Sequence, residues 1–176
     1  MQRPLSALGL VLALVTPPAL APMGAAAEPT SPYPFTQLAA AGPGPGGMEF
    51  LGTLDVQRFV VQGDRLVATA ALSGRVIRIV DRAATPVTRL SDVPARVPVA
   101  GLAATCEALE LRLDPVRWEP LGLLIRVDPI RLDDATLPVP GELPRGVLCS
   151  LSDRLDRGAG PDALAGLLNV LLKVLA

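Results

Sequence analysis

The pattern of apolar and polar positions changes at residue 48, and from there it is typical of β-strands. Residues 50–62 and 65–80 are two runs rich in Val, Ile, Leu and Thr, separated by Gly63-Asp64. Glycine at the first position of a two-residue loop favours a type II′ turn, so the runs are predicted to pair as a hairpin. Three apolar pairs should then face each other: Val61 and Leu66, Phe59 and Ala68, and Val56 and Ala71.

The next stretch, residues 81–104, carries prolines at positions 86, 94 and 98. Proline cannot donate a ladder hydrogen bond, so this stretch is expected to form only short or edge strands. Strict alternation returns beyond residue 108, with a charged residue after each apolar one. This alternation predicts a strand with one buried face. The apolar positions of that strand are Leu109, Leu111 and Leu113.

An internal repeat follows, in which residues 111–118 match residues 125–132 at a period of 14. Both copies read apolar-Arg-apolar-Asp-Pro-apolar-Arg-apolar, and the parity of the apolar positions changes across the proline. An inserted bulge residue produces such a change, so Asp114-Pro115 and Asp128-Pro129 are each predicted at a bulge or a sheet edge. Two copies are too few for a solenoid, and we therefore expect consecutive kinked strands in one sheet.

After residue 141 the apolar spacing becomes helical. Two amphipathic helices are predicted, separated by Gly158-Ala159-Gly160, and residues 162–175 of the second should pack into the core formed by the β region. The second helix is too short to span a bilayer. The apolar positions are Leu143, Val147, Leu148, Leu151 and Leu155 in the first helix, and Leu164, Leu167, Leu168, Leu171, Leu172, Val174 and Leu175 in the second. The opposite face of the second helix carries Asp162, Gly166, Asn169 and Lys173.

These elements predict an α+β fold: an antiparallel, bulged β-meander over residues 48–138, followed by two C-terminal helices within residues 142–176 that pack on it. Residues 48–176 are expected to form a single domain. The preceding segment, residues 28–47, is rich in proline and glycine and is predicted to be a flexible tether.

The N-terminus has the features of a secretory signal. Arg3 supplies a positive charge, residues 5–15 are weakly polar to apolar, and Ala25-Ala26-Ala27 fits the small-residue cleavage motif. We expect residues 1–27 to be a signal peptide, so that the mature chain begins at Glu28 and is secreted or periplasmic.

Two cysteines, Cys106 and Cys149, are present in the whole chain. In an exported protein such a pair predicts one disulfide bond, and two buried free thiols are the alternative. Closing a loop of 43 positions stabilises the fold by about 4 kcal/mol in the chain-entropy model.

Composition excludes several classes of function. The chain has no histidine, which excludes Ser-His-Asp catalysis and histidine-ligated zinc. Its 16 Lys+Arg against 17 Asp+Glu argue against a nucleic-acid partner, which would select a basic excess. No phosphate loop or dinucleotide fingerprint occurs, so no cofactor is expected.

Charged residues of the repeat region offer three candidate sites, and each has a simpler explanation. Asp128, Asp133, Asp134 and Glu142 could supply a carboxylate pair for glycoside hydrolysis, although their spacing selects no pair. Asp133-Asp134 could join a calcium site, but no Asp-x-Asp-x-Asp-Gly loop exists. Four repeat arginines could form an anion-binding strip, while pairing with neighbouring acids is the preferred interpretation. These arginines are Arg112, Arg117, Arg126 and Arg131, and the acids are Glu110, Asp114, Glu119 and Asp128.

A set of short motifs resembles a known family. The motifs are Gly52-Thr53 with Phe59 and Gly63, then Cys106, Leu121-Gly122-Leu123, and Gly146-Val147-Leu148-Cys149. Together they are similar to a family of small, uncharacterised secreted bacterial proteins with two spaced cysteines and a Leu/Gly-rich C-terminal half. The resemblance covers residues 50–176 and departs from the family pattern at residues 141–146. It implies export and pairing of the two cysteines, and it supplies no catalytic residues.

The sequence thus predicts an exported, non-enzymatic binding or structural domain. One alternative is a carrier of an apolar ligand or lipid, held in a cavity between sheet and helices. A carboxylate-dependent hydrolase ranks third. A filled core favours the first, an enclosed apolar cavity the second, and two converging acids the third.

Overall fold

A computed structural model describes residues 35–133 and 142–175, which belong to one compact unit spanning residues 31–176. It confirms the predicted α+β class, with an antiparallel curled sheet followed by two helices. The predicted signal peptide, residues 1–27, lies outside the described residues. The strands are β1 (Leu38–Pro43), β2 (Met48–Gln62), β3 (Arg65–Val80), β4 (Ala83–Ala104), β5 (Ala108–Leu113), β6 (Val116–Trp118), β7 (Leu123–Val127) and β8 (Ile130–Asp133), and the helices are α1 (Glu142–Asp156) and α2 (Pro161–Leu175).

The predicted hairpin is formed by β2 and β3. Val61 faces Leu66 and Phe59 faces Ala68 as expected, and Gly63 has a φ of +67° in the turn. The third predicted pair is wrong, because Val56 faces Ala70 and not Ala71. A bulge between Val56 and Arg58 inserts one residue into β2 and shifts the register beyond it.

The tether predicted over residues 28–47 is wrong for its second half, and the domain therefore begins before residue 48. Residues 38–43 form β1, which lies between β2 and β7 in the sheet. Small side chains allow this close fit: a Cβ atom on Gly42 would lie 2.0 Å from the carbonyl oxygen of Leu124. Residues 28–34 lie outside the described part of the chain.

The prediction of short strands over residues 81–104 is also wrong, because β4 is one strand of 22 residues. It pairs with β3 as far as Pro98 and with β5 from Val99 onward. Pro86, Pro94 and Pro98 therefore all lie where β4 has a single strand neighbour, which is the edge position that proline requires. Two bulges shift the register of the β3–β4 ladder, so the two strands stay paired along this stretch.

The two copies of the repeat form one long antiparallel hairpin that is kinked in the middle. Leu111 of β5 faces Ile130 of β8, Val116 of β6 faces Ile125 of β7, and a single register runs through both halves. The predicted kinked strands are confirmed, but the Asp-Pro steps are breaks between strands and not bulges. Proline ends the ladder at each break. The backbone amide of the preceding aspartate still donates to a strand outside the hairpin: the Asp114 amide donates to the Pro98 carbonyl of β4, and the Asp128 amide to the Ala39 carbonyl of β1.

This kinked hairpin joins the two ends of the curled sheet. The sheet order is β6-β7-β1-β2-β3-β4-β5-β8, so β7 pairs with β1 at one end and β5 pairs with β4 at the other. Since β5 and β6 belong to one kinked strand, and β7 and β8 to the next, the hairpin bridges both ends. The sheet closes on itself, and its inner face is enclosed.

Both helices bury the apolar faces that the sequence predicts. Leu148 and Leu151 of α1 and Leu168 and Leu171 of α2 are fully buried in the same hydrophobic cluster as the strands. The side chain of Leu143 is outside the described set. No helix in the described residues is long and apolar enough to cross a membrane.

Asn169 is the exception on α2, because it was expected on the polar face and is instead partly buried. Its side-chain oxygen accepts from the Phe59 amide at 2.8 Å, and its side-chain nitrogen donates to the Phe59 carbonyl at 2.7 Å. β1 pairs with β2 only as far as Leu54, so Phe59 lies where β2 has lost that neighbour. Asn169 thus satisfies a strand edge that would otherwise have no partner.

Candidate binding surface on the sheet

The disulfide prediction is confirmed. Cys106, in the turn between β4 and β5, is bonded to Cys149 of α1 with a sulfur–sulfur distance of 2.06 Å. The alternative of two free thiols is therefore wrong. The bond ties α1 to the sheet across 43 positions, so its role here is to hold the helix in place.

The two candidate carboxylates that the structure describes do not converge. Asp128 lines a depression beside β1 and β7, and Asp133 lines a different one beside β5 and β8. Asp134 lies outside the described residues, and the side chain of Glu142 is likewise not described. Within the described ranges no group of three or more Cys, Asp or Glu residues could hold a metal ion.

The repeat arginines mostly pair with acids, as preferred above. Arg112 donates to Glu110 at 2.7 Å, Arg131 lies 3.9 Å from the same carboxylate, and Arg117 lies 4.0 Å from Glu119. The hydrogen bond and charge of Arg112 lower the pKa of Glu110 below its ordinary value of 4.5. These residues form a compensated, solvated surface and not a continuous anion strip.

The inner face of the sheet is packed with side chains. Phe50, Leu54, Leu72, Leu111 and Ile125 have 0–1% exposure and belong to one cluster that includes leucines of both helices. Three surface depressions among the described residues open to solvent. The most apolar, about 260 Å³, is a shallow groove beside Ala103, Ala104 and Leu109.

The largest of these depressions, about 530 Å³, brings two arginines together on the outer face of the sheet. Arg75 of β3 lies directly opposite Arg89 of β4, so both side chains leave the sheet on the same side. Both are exposed, whereas their neighbours Val76 and Leu90 are buried on the inner face. We call this surface the arginine depression; its polar side chains are Thr53, Ser73, Arg75, Arg89 and Ser91.

Two glycines form the floor of the arginine depression. Gly52 of β2 faces Gly74 of β3, and the buried ring of Phe50 lies against both from the inner side. A Cβ atom on Gly52 would lie 2.2 Å from the Ser73 carbonyl oxygen, and one on Gly74 would lie 2.6 Å from that of Leu51. Neither position can carry a side chain, because that side chain would point to the inner face and collide with the Phe50 ring and the neighbouring strand.

The positive charge of the arginine depression is not compensated by the described part of the chain. Among those residues, neither Arg75 nor Arg89 has a hydrogen-bond or ion-pair partner. Like charges directly opposite each other in a sheet destabilise the pair. The only described carboxylate hydrogen-bonded to a lining side chain is that of Asp92, which accepts from the Ser73 hydroxyl at 3.3 Å. The same hydroxyl accepts from the Asp92 amide at 2.9 Å, so its oxygen is fixed in place.

Sequence reasoning missed this surface because its members come from three strands. Arg75 and Arg89 meet only if residues 83–90 form a strand against β3, and the bulge between Val76 and Ile77 sets their register. The signal that could have found it is the Asp81-Arg82 dipeptide, which forms a two-residue turn with both φ angles positive.

Comparisons of the chain with protein-family models, curated proteins and solved structures found no match. The resemblance to small secreted bacterial proteins therefore stays a prediction.

Proposed function

We propose that this chain is an exported, non-enzymatic domain that binds its ligand or partner on the outer face of the sheet. The observation that carries the proposal is the contrast between the two faces. The inner face is enclosed and filled by fully buried side chains, while the outer face carries open depressions and an uncompensated pair of arginines.

Export is supported by the disulfide between Cys106 and Cys149, because such bonds persist in oxidising compartments. The N-terminal residues 1–27, with their charge, apolar run and small-residue motif, support the same placement. The mature domain would then begin at Glu28 and reach its compartment with a short segment ahead of β1.

The separation of the candidate acids that the structure describes supports a binding role over hydrolysis. Asp128 and Asp133, the two described candidates, line separate depressions. Retaining and inverting glycosidases require two carboxyl groups on either side of one scissile bond.

Native mass spectrometry of the protein, purified from its own compartment without detergent, tests this proposal against the lipid-carrier alternative. We expect the mass of residues 28–176 with one disulfide and no bound lipid, and no lipid in an organic extract of the sample. A stoichiometric apolar molecule that survives purification would overturn the proposal in favour of a carrier, because it would require an interior site. Denaturing mass spectrometry of the same sample is the control for covalent adducts.

A further inference from the structure

We infer that the arginine depression binds a tetrahedral oxyanion of the phosphate or sulfate type, as the free ion or as a monoester. This inference rests on the proposed function, because it assigns a ligand chemistry to the outer face of the sheet. The residues that would hold the anion are Arg75, Arg89, Thr53 and Ser91, because the Ser73 hydroxyl already donates to Asp92.

The placement of the two guanidinium groups supports this assignment. Arg75 and Arg89 are cross-strand neighbours, with Cβ atoms about 5 Å apart in such a pair. Guanidinium groups are planar donor forks that match phosphate oxygens two at a time. Two guanidinium groups on the same side of a sheet can therefore hydrogen-bond to different oxygens of one tetrahedral anion.

Charge selects a dianion over a carboxylate. Five other described arginines lie within 4.0 Å of an acid, namely Arg65, Arg112, Arg117, Arg131 and Arg157. Arg75 and Arg89 have no such partner in the described ranges, as is also true of other exposed arginines such as Arg96, but they are the pair of described arginines that face each other directly. A phosphate monoester carries a charge of about −1.5 to −2 at pH 7, which balances the pair, whereas one carboxylate leaves half of it uncompensated.

The hydroxyl groups complete the donor set. Thr53 and Ser91 have no side-chain hydrogen-bond partner among the described residues, so their hydroxyls are available to a ligand. Thr53 lies beside the arginines on β2, and Ser91 lies beside them on β4. Because the site is open to solvent, its affinity should be modest and should fall as ionic strength rises.

Titration with inorganic phosphate, followed by NMR chemical shifts or calorimetry at constant ionic strength, tests the inference. We expect saturable binding of one phosphate, with the largest shifts at residues 73–75 and 89–91. Arg75→Gln and Arg89→Gln should each weaken binding by about tenfold or more, since a hydrogen bond to a charged group is lost. Arg96→Gln is the matched control, because Arg96 is an exposed arginine of β4 that faces Thr69 outside the depression.

A readout without ligand separates binding from a structural role. If Arg75 and Arg89 only repel each other in the free protein, either glutamine variant should melt at the same or a higher temperature than the wild type at low salt. Phosphate should raise the melting temperature of the wild type and of Arg96→Gln, but not of the two depression variants. No saturable binding to the wild type, or equal weakening in all three variants, would overturn the inference.

The source of the oxyanion is decided by a second arm. Vesicles of phosphatidylcholine with phosphatidic acid are compared with vesicles of phosphatidylcholine alone, using the same variants. Binding that requires phosphatidic acid and both arginines identifies a lipid headgroup, and binding of soluble phosphate without vesicle binding identifies a soluble ligand. Failure of both arms would overturn the oxyanion site and leave the proposed function standing, since that depends on the absence of an interior ligand.

Discussion

At the scale of single residues, a few polar contacts hold parts of the fold that apolar packing cannot satisfy. Asn169 is the clearest case, because its one side chain bonds both the amide and the carbonyl of Phe59. A polar residue on an amphipathic helix is ordinarily assigned to solvent from its position alone. The role of Asn169 depends on the point at which β1 stops pairing with β2. The sequence of α2 carries no information about that point.

Removing the Asn169 carboxamide should lower the stability of the fold. Asn169→Ala leaves two strand-edge groups without partners, and we expect it to lower the free energy of unfolding by about 2 kcal/mol. Urea denaturation followed by circular dichroism measures the change. Lys173→Ala, at an exposed position one turn further along α2, is the control and should change stability by less than about 0.5 kcal/mol. Equal effects of the two variants would contradict the assigned role.

Glu110 predicts a pH dependence. Arg112 lowers the pKa of Glu110 in the folded state below 4.5, chiefly through its hydrogen bond. The ionised carboxylate therefore stabilises the fold at neutral pH, and this stabilisation is lost as the pH falls through the lowered pKa. The melting temperature of Glu110→Gln should lie below that of the wild type at pH 7, and the difference should shrink as the pH is lowered below 4.5 and through the lowered pKa of Glu110. A difference that stays constant or grows on acidification would contradict this, and Glu107→Gln in the preceding turn is the control.

At the scale of elements, strong periodicity was sufficient for the β2–β3 hairpin, for β5 and for both helices. Periodicity did not predict the strands that lack a regular apolar pattern and are stabilised by pairing with neighbouring strands. Residues 38–43 have no strand pattern of their own, yet they pair with β2 and β7 on either side. β4 likewise contains three prolines, and its length is set by the ladder of β3. Such strands depend on tertiary pairing, which single-sequence patterns do not reveal.

The close approach of β1 to β7 can be tested at Gly42. A methyl group there would meet the Leu124 carbonyl at 2.0 Å, so Gly42→Ala must push the two strands apart. We expect a loss of about 2 kcal/mol or more in the free energy of unfolding, measured by denaturant titration. Gly101→Ala in β4 is the matched control, because a Cβ atom at Gly101 meets nothing within 4 Å. If Gly42→Ala left the free energy of unfolding unchanged, β1 would not pack tightly against β7 at this position.

The packing of α2 is tested by two nearby positions on different faces of the helix. Leu168 is fully buried, and Val170, two residues further along, is 45% exposed. Leu168→Ala should cost about 2–5 kcal/mol through lost burial and the cavity left behind, whereas Val170→Ala should cost less than about 1 kcal/mol. Chemical denaturation measures both. If the two losses were equal, α2 would not share the core of the sheet.

At the scale of the whole molecule, closure of the sheet separates the inner face from the outer face. The kinked hairpin of the repeat joins β4 on one side to β1 on the other, which encloses the inner face and leaves the outer face for binding. The repeat itself was visible in the sequence, but its partners were not, because β1 was not recognised as a strand. Closure therefore emerges only from the register of all the strands together.

Native-state hydrogen exchange at the β1–β7 seam tests closure most directly. The Asp128 amide donates to the Ala39 carbonyl at 3.2 Å, and Ala40 pairs with Val127. If the sheet is closed, these seam amides open only with the whole domain, and their opening free energy should equal that of interior amides of the β2–β3 hairpin, such as Leu54 and Leu72. Seam amides that exchange through a much smaller opening free energy, while the hairpin stays protected, would contradict a sealed interior and with it the placement of binding on the outer face.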